Sequence, residues 1–546
     1  MYCLDDGDLL VEGPGVPTLT RPLEHSGSDE TPTRRFEIGD KTPQTGSKRR
    51  SLIIGIAAAA LVAILGFAGY WYLGRDKGGH IGSIAVLPFE NQSGNADVEY
   101  LSDGITNSLI NSLTKLPNLK VKGRNAVLRY KGTQADERSI GKELGVEAVV
   151  LGRFTQRGDD LTLYLSLVDP YTGVTIWGEQ YDRKIQDLSA LQKEITRDVS
   201  QKLQMRLSSA DATNLTKNYS ENAEAYRLYL KGRYFFNKRT PADFQKSKDY
   251  FQQAIDLDPT YARAYSGLAD FYGISAIVGD LPPKETWPKH EVLVTRALEL
   301  DPDLAEAHNS LAGLKRNYYG DFAGAEAELK RAIELDPEYA EAHVHYASHL
   351  AMVGRTDEAL RERRLAVELD PLSASISLRL AQLLFFFRQY PESIEQYRTT
   401  IDLDQNSPLA HDGLGNVYQQ SGNHDLAIDE WSTAMNLLGK PELGEKLRSE
   451  FKASGFDAAV RTIARTRLDS LNEQARLGTY IPAMRFARLH AQLGDREQTL
   501  AALDKGAVEQ NALTIEILFD PIFDSVRNDP RFPEIVKKIG IPTATN

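Results

Sequence analysis

Hydrophobic positions along the chain change their period four times. Residues 1–50, with prolines at 14, 17, 22, 32 and 43 and little apolar periodicity, predict a disordered tail. From Ser51 to Gly74 the run SLIIGIAAAALVAILGFAGYWYLG carries no charge and no polar stripe. It predicts a helix apolar on every side and long enough to cross a bilayer. From Ile81 the β-branched run IGSIAVLPFENQSG predicts a buried strand, stopped by Pro88 and a turn-forming loop. Leu101, Ile105, Leu109, Leu113 and Leu116 then recur at three- and four-residue spacing, which predicts an amphipathic helix. LKVKGRNAV reads as a second strand and SIGKELG as a short helix ended by Gly145. Residues 146–183 alternate apolar and polar around two turns, Arg157–Asp160 and Asp169–Gly173, as a three-stranded meander does. LSALQKEITRDVSQKLQMRL closes this region as a helix.

Beyond residue 222 the apolar period is helical and the text repeats itself: AIDLDPTYARAY, ALELDPDLAEAH, AIELDPEYAEAH, AVELDPLSASIS, TIDLDQNSPLAH. Pro259, Pro302, Pro337, Pro371 and Gln405 mark steps of 43, 35, 34 and 34 residues. A helix-turn-helix unit with a period near 34 is the tetratricopeptide repeat, and it stacks into a right-handed superhelix with a concave inner face. The longer step holds GDLPPKETWPKH, read as an inserted loop. Small residues Ala312, Ala347, Ala381 and Gly415 fall where paired helices approach, and Gly320, Gly354 and Gly422 where each first helix must turn. The repeats are expected over 222–438. Residues 439–546 continue as repeat-like helices, with FDPIFDSVRNDPRFPEIVKKIG as a cap on the apolar end.

SIAVLPFENQSG, YLSDGITNSLINSL, IGKELGVEAVVLGRF and VDPYTGVTIWGEQYDR resemble the TolB amino-terminal-type domain of multidomain bacterial signalling proteins. The likeness covers residues 81–208 and implies a small α/β fold with a non-catalytic interaction or sensing role. The expected fold class is therefore multidomain: a transmembrane helix, a small TolB-like α/β domain and an all-α tetratricopeptide solenoid.

Charge sets the expected location. Arg34, Arg35, Lys41, Lys48, Arg49 and Arg50 precede the apolar run, while only Arg75 and Lys77 closely follow it. The positive-inside rule then predicts a single-pass protein of the bacterial inner membrane, with its N-terminus cytoplasmic and everything after Gly74 extracytoplasmic. Gly55, Ala59 and Ala63 recur every four residues, a spacing that would let two such helices pair as a homodimer. The net charge of −12 argues against a nucleic-acid partner. Cys3 is the sole cysteine, so neither a disulfide framework nor a cysteine zinc site can form.

No phosphate-cradling or dinucleotide-binding glycine motif follows a strand, and no nucleophile, base and acid pattern appears, so neither enzyme activity nor a cofactor is expected. His345 and His349 have the i, i+4 spacing of metal ligands, yet no third ligand accompanies them. Together with His343 they read as solvent- or groove-facing. Phe385, Phe386 and Phe387 read as core, with one member free to anchor a partner. The groove is expected to be lined by Asn309, Arg316, His345, His349, Arg379 and Asn416, whose polar groups suit a peptide backbone or carboxylate. These features predict a membrane-anchored scaffold that binds proteins or peptides without catalysis. The alternative is the regulatory half of a signalling protein whose output head is a kinase, a cyclase or a winged-helix regulator.

Overall fold

The computed structural model describes residues 81–541 apart from 96–97, 115, 117–118, 132–135, 204–219, 221, 239–240, 279–280, 372 and 510–513. The apolar run 51–74, with its helix-pairing residues Gly55, Ala59 and Ala63, lies outside the described residues. Among those that are described, no helix is long and apolar enough to cross a membrane. The long helix Phe456–Arg476 shows why, since it interleaves Asp457, Arg461, Arg465, Arg467, Asp469, Glu473 and Arg476 with its apolar positions. The expected fold class is corrected accordingly to an α/β module followed by an all-α solenoid. For the expected single-pass inner-membrane protein, the described residues supply no spanning helix.

The module is one sheet in the order β3-β1-β4-β5-β6. Strand β1 (Ser83–Val86) lies parallel to β3 (Lys120–Val121) and β4 (Ala148–Arg157), while β4, β5 (Asp160–Val168) and β6 (Thr175–Lys184) form the antiparallel meander. After Pro88 the chain rejoins the sheet as β2 (Glu90–Asn91), beside β4. The second predicted strand shrinks to two residues, because Gly123 turns the chain into the short helix Arg124–Leu128. Leu161, Leu163, Leu165 and Leu167 face inward at every second residue of β5, as a half-buried strand requires.

The module is not a separate bead. Its helix Glu99–Leu113 packs against Ala223–Lys238, the first helix of the solenoid, and both belong to one buried apolar core that runs on through Phe251, Leu268 and Phe271. Buried Tyr226 donates from its hydroxyl to Ser108 Oγ at 2.7 Å. The helices meet so closely that a Cβ on Gly104 would stand 2.7 Å from Leu230 Cδ1.

The solenoid proceeds in helix pairs from Ala223 to Val508. Gly320, Gly354 and Gly422 end first helices at φ of 65°, 82° and 74°. Arg388 occupies the same position of its repeat and is the sole non-glycine at positive φ among the described residues, at 62°. From Pro283 onward the inserted segment is helix rather than loop. It lengthens the second helix Pro283–Leu300, whose Trp287 fills the core against Ala276, Val294 and Leu314.

The histidine that closes the recurring phrase is a staple. His308, His343 and His411 place Nδ1 at 2.6, 2.7 and 2.6 Å from Glu328, Glu362 and Glu430 on the following helix. Nε2 of His308 and of His343 meets the carbonyl of Pro302 and of Pro337. One ring thus ties the turn before a repeat to both of its helices. In the repeat between them Ser377 and Gln396 replace the pair, at 2.7 Å. His343 is therefore buried structure rather than groove surface, contrary to the sequence reading.

The C-terminal segment folds back along the rim instead of only covering the solenoid's end. Arg496–Asp529, Arg531–Glu497 and Lys538–Asp504 ion pairs hold it to the last helical pair. Phe519 packs edge-on against Phe387 at 5.2 Å, and Ile541 joins Phe322 and Met352. Arg388 donates to the Phe519 carbonyl at 2.9 Å and to both carboxylate oxygens of Asp524 at 2.8 and 3.0 Å. An open cleft of about 480 Å³ remains beneath this clasp, lined in part by Leu360, Phe386, Phe387, Leu518 and Arg527.

Candidate functional site

First helices of successive repeats bring polar side chains together on the inner face. Asn309 Oδ1 lies 2.9 Å from His345 Nδ1, which joins two adjacent first helices. His345 is half-buried. Burial holds its imidazole down at about 4, and the charges of Arg379, Arg316 and Arg363 act in the same direction against the opposing Glu341. Arg316 is half-buried, its Nε donating to Asn317 Oδ1 at 3.2 Å, and burial pushes it down to about 10. Arg379, one repeat further on, is exposed.

The other two expected groove residues stand apart. His349 is 1% exposed and sits among the rings of Phe322 and Tyr346, with Nε2 3.9 Å from Glu326. Burial lowers it to about 4 as well. Asn416 is held between Asp412 at 3.2 Å and the indole N–H of Trp431 at 3.1 Å.

Arg363 belongs to the cluster and escaped the sequence reading. It lies on a second helix, where Leu329, Tyr397 and Trp431 mark the same column at steps of 34 residues. A cation in an apolar column is a signal that aligning the repeats would have exposed. Arg363 is 3% exposed, donates to Ser348 Oγ at 2.7 Å, and leaves its buried Nε without an acceptor. Burial pushes it down to about 9, reinforced by Arg379 against the opposing charge of Glu341.

Charge differs along the groove. Toward the first repeats, cations are compensated: Arg233 faces Asp270 at 3.7 Å and Arg263 faces Glu306 at 3.2 Å. The α/β module approaches further along, at the end of the helix that carries Arg363: a Cβ on its Gly123 would meet the Asp370 carboxylate at 3.8 Å, and Arg124 beside it pairs with Asp103 at 3.6 Å. Among the described residues no carboxylate stands within ion-pair distance of Arg316, Arg363 or Arg379. Three or more His, Cys, Asp or Glu side chains placed to hold a metal do not occur among the described residues either.

Comparison with known proteins gives these elements their class. Residues 318–362 and 389–422 match family models described as tetratricopeptide repeat and TPR repeat, so the helical pairs there are tetratricopeptide repeats. Such repeats are protein–protein interaction modules. Residues 80–199 match the second domain of HilA/YgeH-like transcriptional regulators, and this family, rather than the TolB type, is the one matched. The provisionally named adenylate cyclase 3 of Rhizobium meliloti (strain 1021) is 32% identical over 187 residues, 34% of this chain and 32% of that protein. Transcriptional regulator HilA of Salmonella typhimurium is 25% identical over 148 residues, 27% of each chain. The chain thus spans about a third or less of the length of these curated relatives. Among solved structures, a thermophilic TPR protein of Thermus thermophilus is 16% identical, covering 39% of this chain and 99% of its own, with a TM-score of 0.30.

Proposed function

We propose that this chain is a non-catalytic interaction scaffold whose repeats hold a partner protein or peptide along the inner face, through Asn309, Arg316, His345, Arg379 and Asn416. The observation that carries the reading is the meeting of Asn309 and His345, polar side chains of two successive first helices, within reach of the charges of Arg316 and Arg379, since side chains that serve only stacking would be apolar there. The fused core between the first repeats and the α/β module supports a second element of the proposal. A partner seated in the groove is felt by the module, because one buried core joins the two.

A second reading, the regulatory half of a signalling protein, is favoured by one observation. Stretches of this chain align with a protein named as a cyclase and with a transcriptional regulator, so related sequence accompanies different outputs. The two readings are compatible, the groove receiving and the output lying elsewhere. Co-purification of the full chain from its native cells tests the proposal. N309A/R379A/N416A is expected to lose partners that an outer-face variant, Glu395→Ala, retains. Equal recovery with both variants would refute it.

A further inference from the structure

The sheet of the α/β module has two edges, and the chain treats them differently. β3 is two residues long, whereas β6 runs for ten, all exposed but Trp177 and Tyr181. Ile185 N–H donates to the Asp159 carbonyl at 2.8 Å, and this sets the phase of the antiparallel ladder. Odd-numbered residues of β6 bond to β5, so the N–H and C=O groups of Gly178, Gln180 and Asp182 point away from the sheet. Arg183 Nη1 caps the Asp182 carbonyl at 2.8 Å, the kind of charged cover that keeps an edge from pairing. Gly178 and Gln180 have no such cover: nothing among the described residues bonds their outward backbone groups. Beside this open stretch Tyr164, Tyr171, Val174 and Ile176 are 41% to 60% exposed. They are four of the eleven large apolar side chains left exposed among the described residues, gathered in one hairpin.

We infer that β6 is a strand-addition site: it takes an extended segment of a partner protein, with side chains alternating between apolar and basic, onto the open backbone groups of Gly178 and Gln180. The two faces of the edge call for different side chains. On the outer face Gly178 lies opposite Ser166, next to the pair Tyr164 and Gln180, so a shallow gap beside an exposed ring receives an apolar side chain. On the face toward the helix Leu188–Lys202 the edge is acidic. Burial and its bond to Asp198 raise the Tyr181 hydroxyl above its ordinary range, and the charges of Glu179 and Glu194 push the same way. Arg183 answers Glu194 at 2.8 Å and Arg197 stands 3.9 Å from Asp198. Exposed Glu179 has no cation within ion-pair distance among the described residues, which leaves it for a basic side chain of the incoming strand. The same strand of a second copy fits less well. Pairing β6 with itself about Tyr181 sets Arg183 against Glu179, but it draws Arg183 from Glu194 and from the Asp182 carbonyl. The site lies on the α/β module and rests on no reading of the groove.

Fluorescence anisotropy on the full chain would use labelled, end-capped heptapeptides: Lys-Phe-Lys-Val-Lys-Val-Lys, and the same residues in blocks as Lys-Lys-Lys-Lys-Phe-Val-Val. The wild type is expected to bind the alternating peptide at least tenfold more tightly than the block peptide, and Glu179→Lys to weaken that binding at least tenfold. Gly178→Pro removes only an outward N–H, which an edge strand tolerates, and is expected to weaken binding to the same degree. Two methylated probes test the backbone ladder with the protein unaltered. Methyls on the Phe and Val nitrogens, or on the Lys nitrogens, block alternate edges of the peptide, so one form is expected to lose binding and the other to keep it. Equal binding of the two methylated forms, or of the alternating and block peptides, would overturn the proposal, as would failure of the alternating peptide to bind. A wild-type chain that sediments as a dimer, with Gly178→Pro a monomer, would give the edge to a second copy and overturn the partner assignment.

Discussion

Arg388 makes a prediction whose sign is unusual. It stands where its sister repeats place glycine, at φ 62°, a conformation that costs a non-glycine residue roughly 1–2 kcal/mol. Its guanidinium meets both oxygens of Asp524 and the carbonyl of Phe519. With side-chain exposures of 37% and 52%, the ion pair is a screened surface pair of about 0.5–1 kcal/mol, and the carbonyl bond adds about 1 kcal/mol. The contacts therefore roughly balance the strain, and the arginine persists because it fastens the clasp. R388A should keep the strain and lose the contacts, loosening residues 514–527 by about 1.5–2 kcal/mol. R388G should lose the same contacts but shed the strain, for a net loss of roughly 0–1 kcal/mol. At an ordinary helical position glycine would be the worse of the two. Hydrogen exchange of peptides within 514–527, followed by mass spectrometry, reads the loosening, which both variants should share, and urea unfolding of the full chain reads the net loss, which should be smaller for R388G. R388G as destabilised as R388A or more, or neither variant changing exchange in 514–527, would refute the reasoning.

Three further predictions concern the frame around the groove. Gly104→Val should drive a side chain into Leu230 and cost roughly 1–3 kcal/mol, shown by parallel loss of thermal stability in the module and the first repeats; uncoupled melting would contradict the shared core. His343→Ala should cost about 1–3 kcal/mol by freeing Glu362 and the Pro337 carbonyl, and His343→Gln should recover part of it; urea unfolding measures both, and no loss in the alanine variant would dismiss the staple. Burial holds His290, 2% exposed, down to about 3, so it stays neutral in the folded chain while the unfolded chain takes up a proton below about pH 6.5. Its stabilising contribution is full above that pH and declines as pH falls toward the folded value, by about 1.4 kcal/mol per pH unit between roughly 6.5 and 5. His290→Gln should flatten the dependence of Tm on pH in that window, and an unchanged slope would disprove the assignment.

Local regularities were legible in the sequence. The meander followed from strict alternation in β5, and the turns from the glycine column, because both depend on near neighbours. What escaped depends on distant contacts or on comparing one repeat with the next. His343 looked free because its partners, Glu362 and the Pro337 carbonyl, are supplied by the repeat's own closure. The missing glycine at 388 was visible in the period, but its reason lies 131 and 136 residues away at Phe519 and Asp524. GDLPPKETWPKH resembled a loop through its prolines, yet Pro283 at a helix start is compatible with helix, and buried Trp287 fixes the rest. In the groove, Asn309, Arg316, His345 and Arg379 were read from first-helix positions alone. Arg363 required asking why one member of an apolar column is charged.

Site-specific photocrosslinking tests the central claim most directly. A benzoylphenylalanine placed at exposed Ser375, one turn before Arg379 on the same first helix, in the full chain expressed in its native cells, should yield a discrete adduct that the same group at Glu395, on the outer helical face, does not. Adducts of equal yield at both positions, or an adduct only at 395, would contradict the inner face as the binding surface.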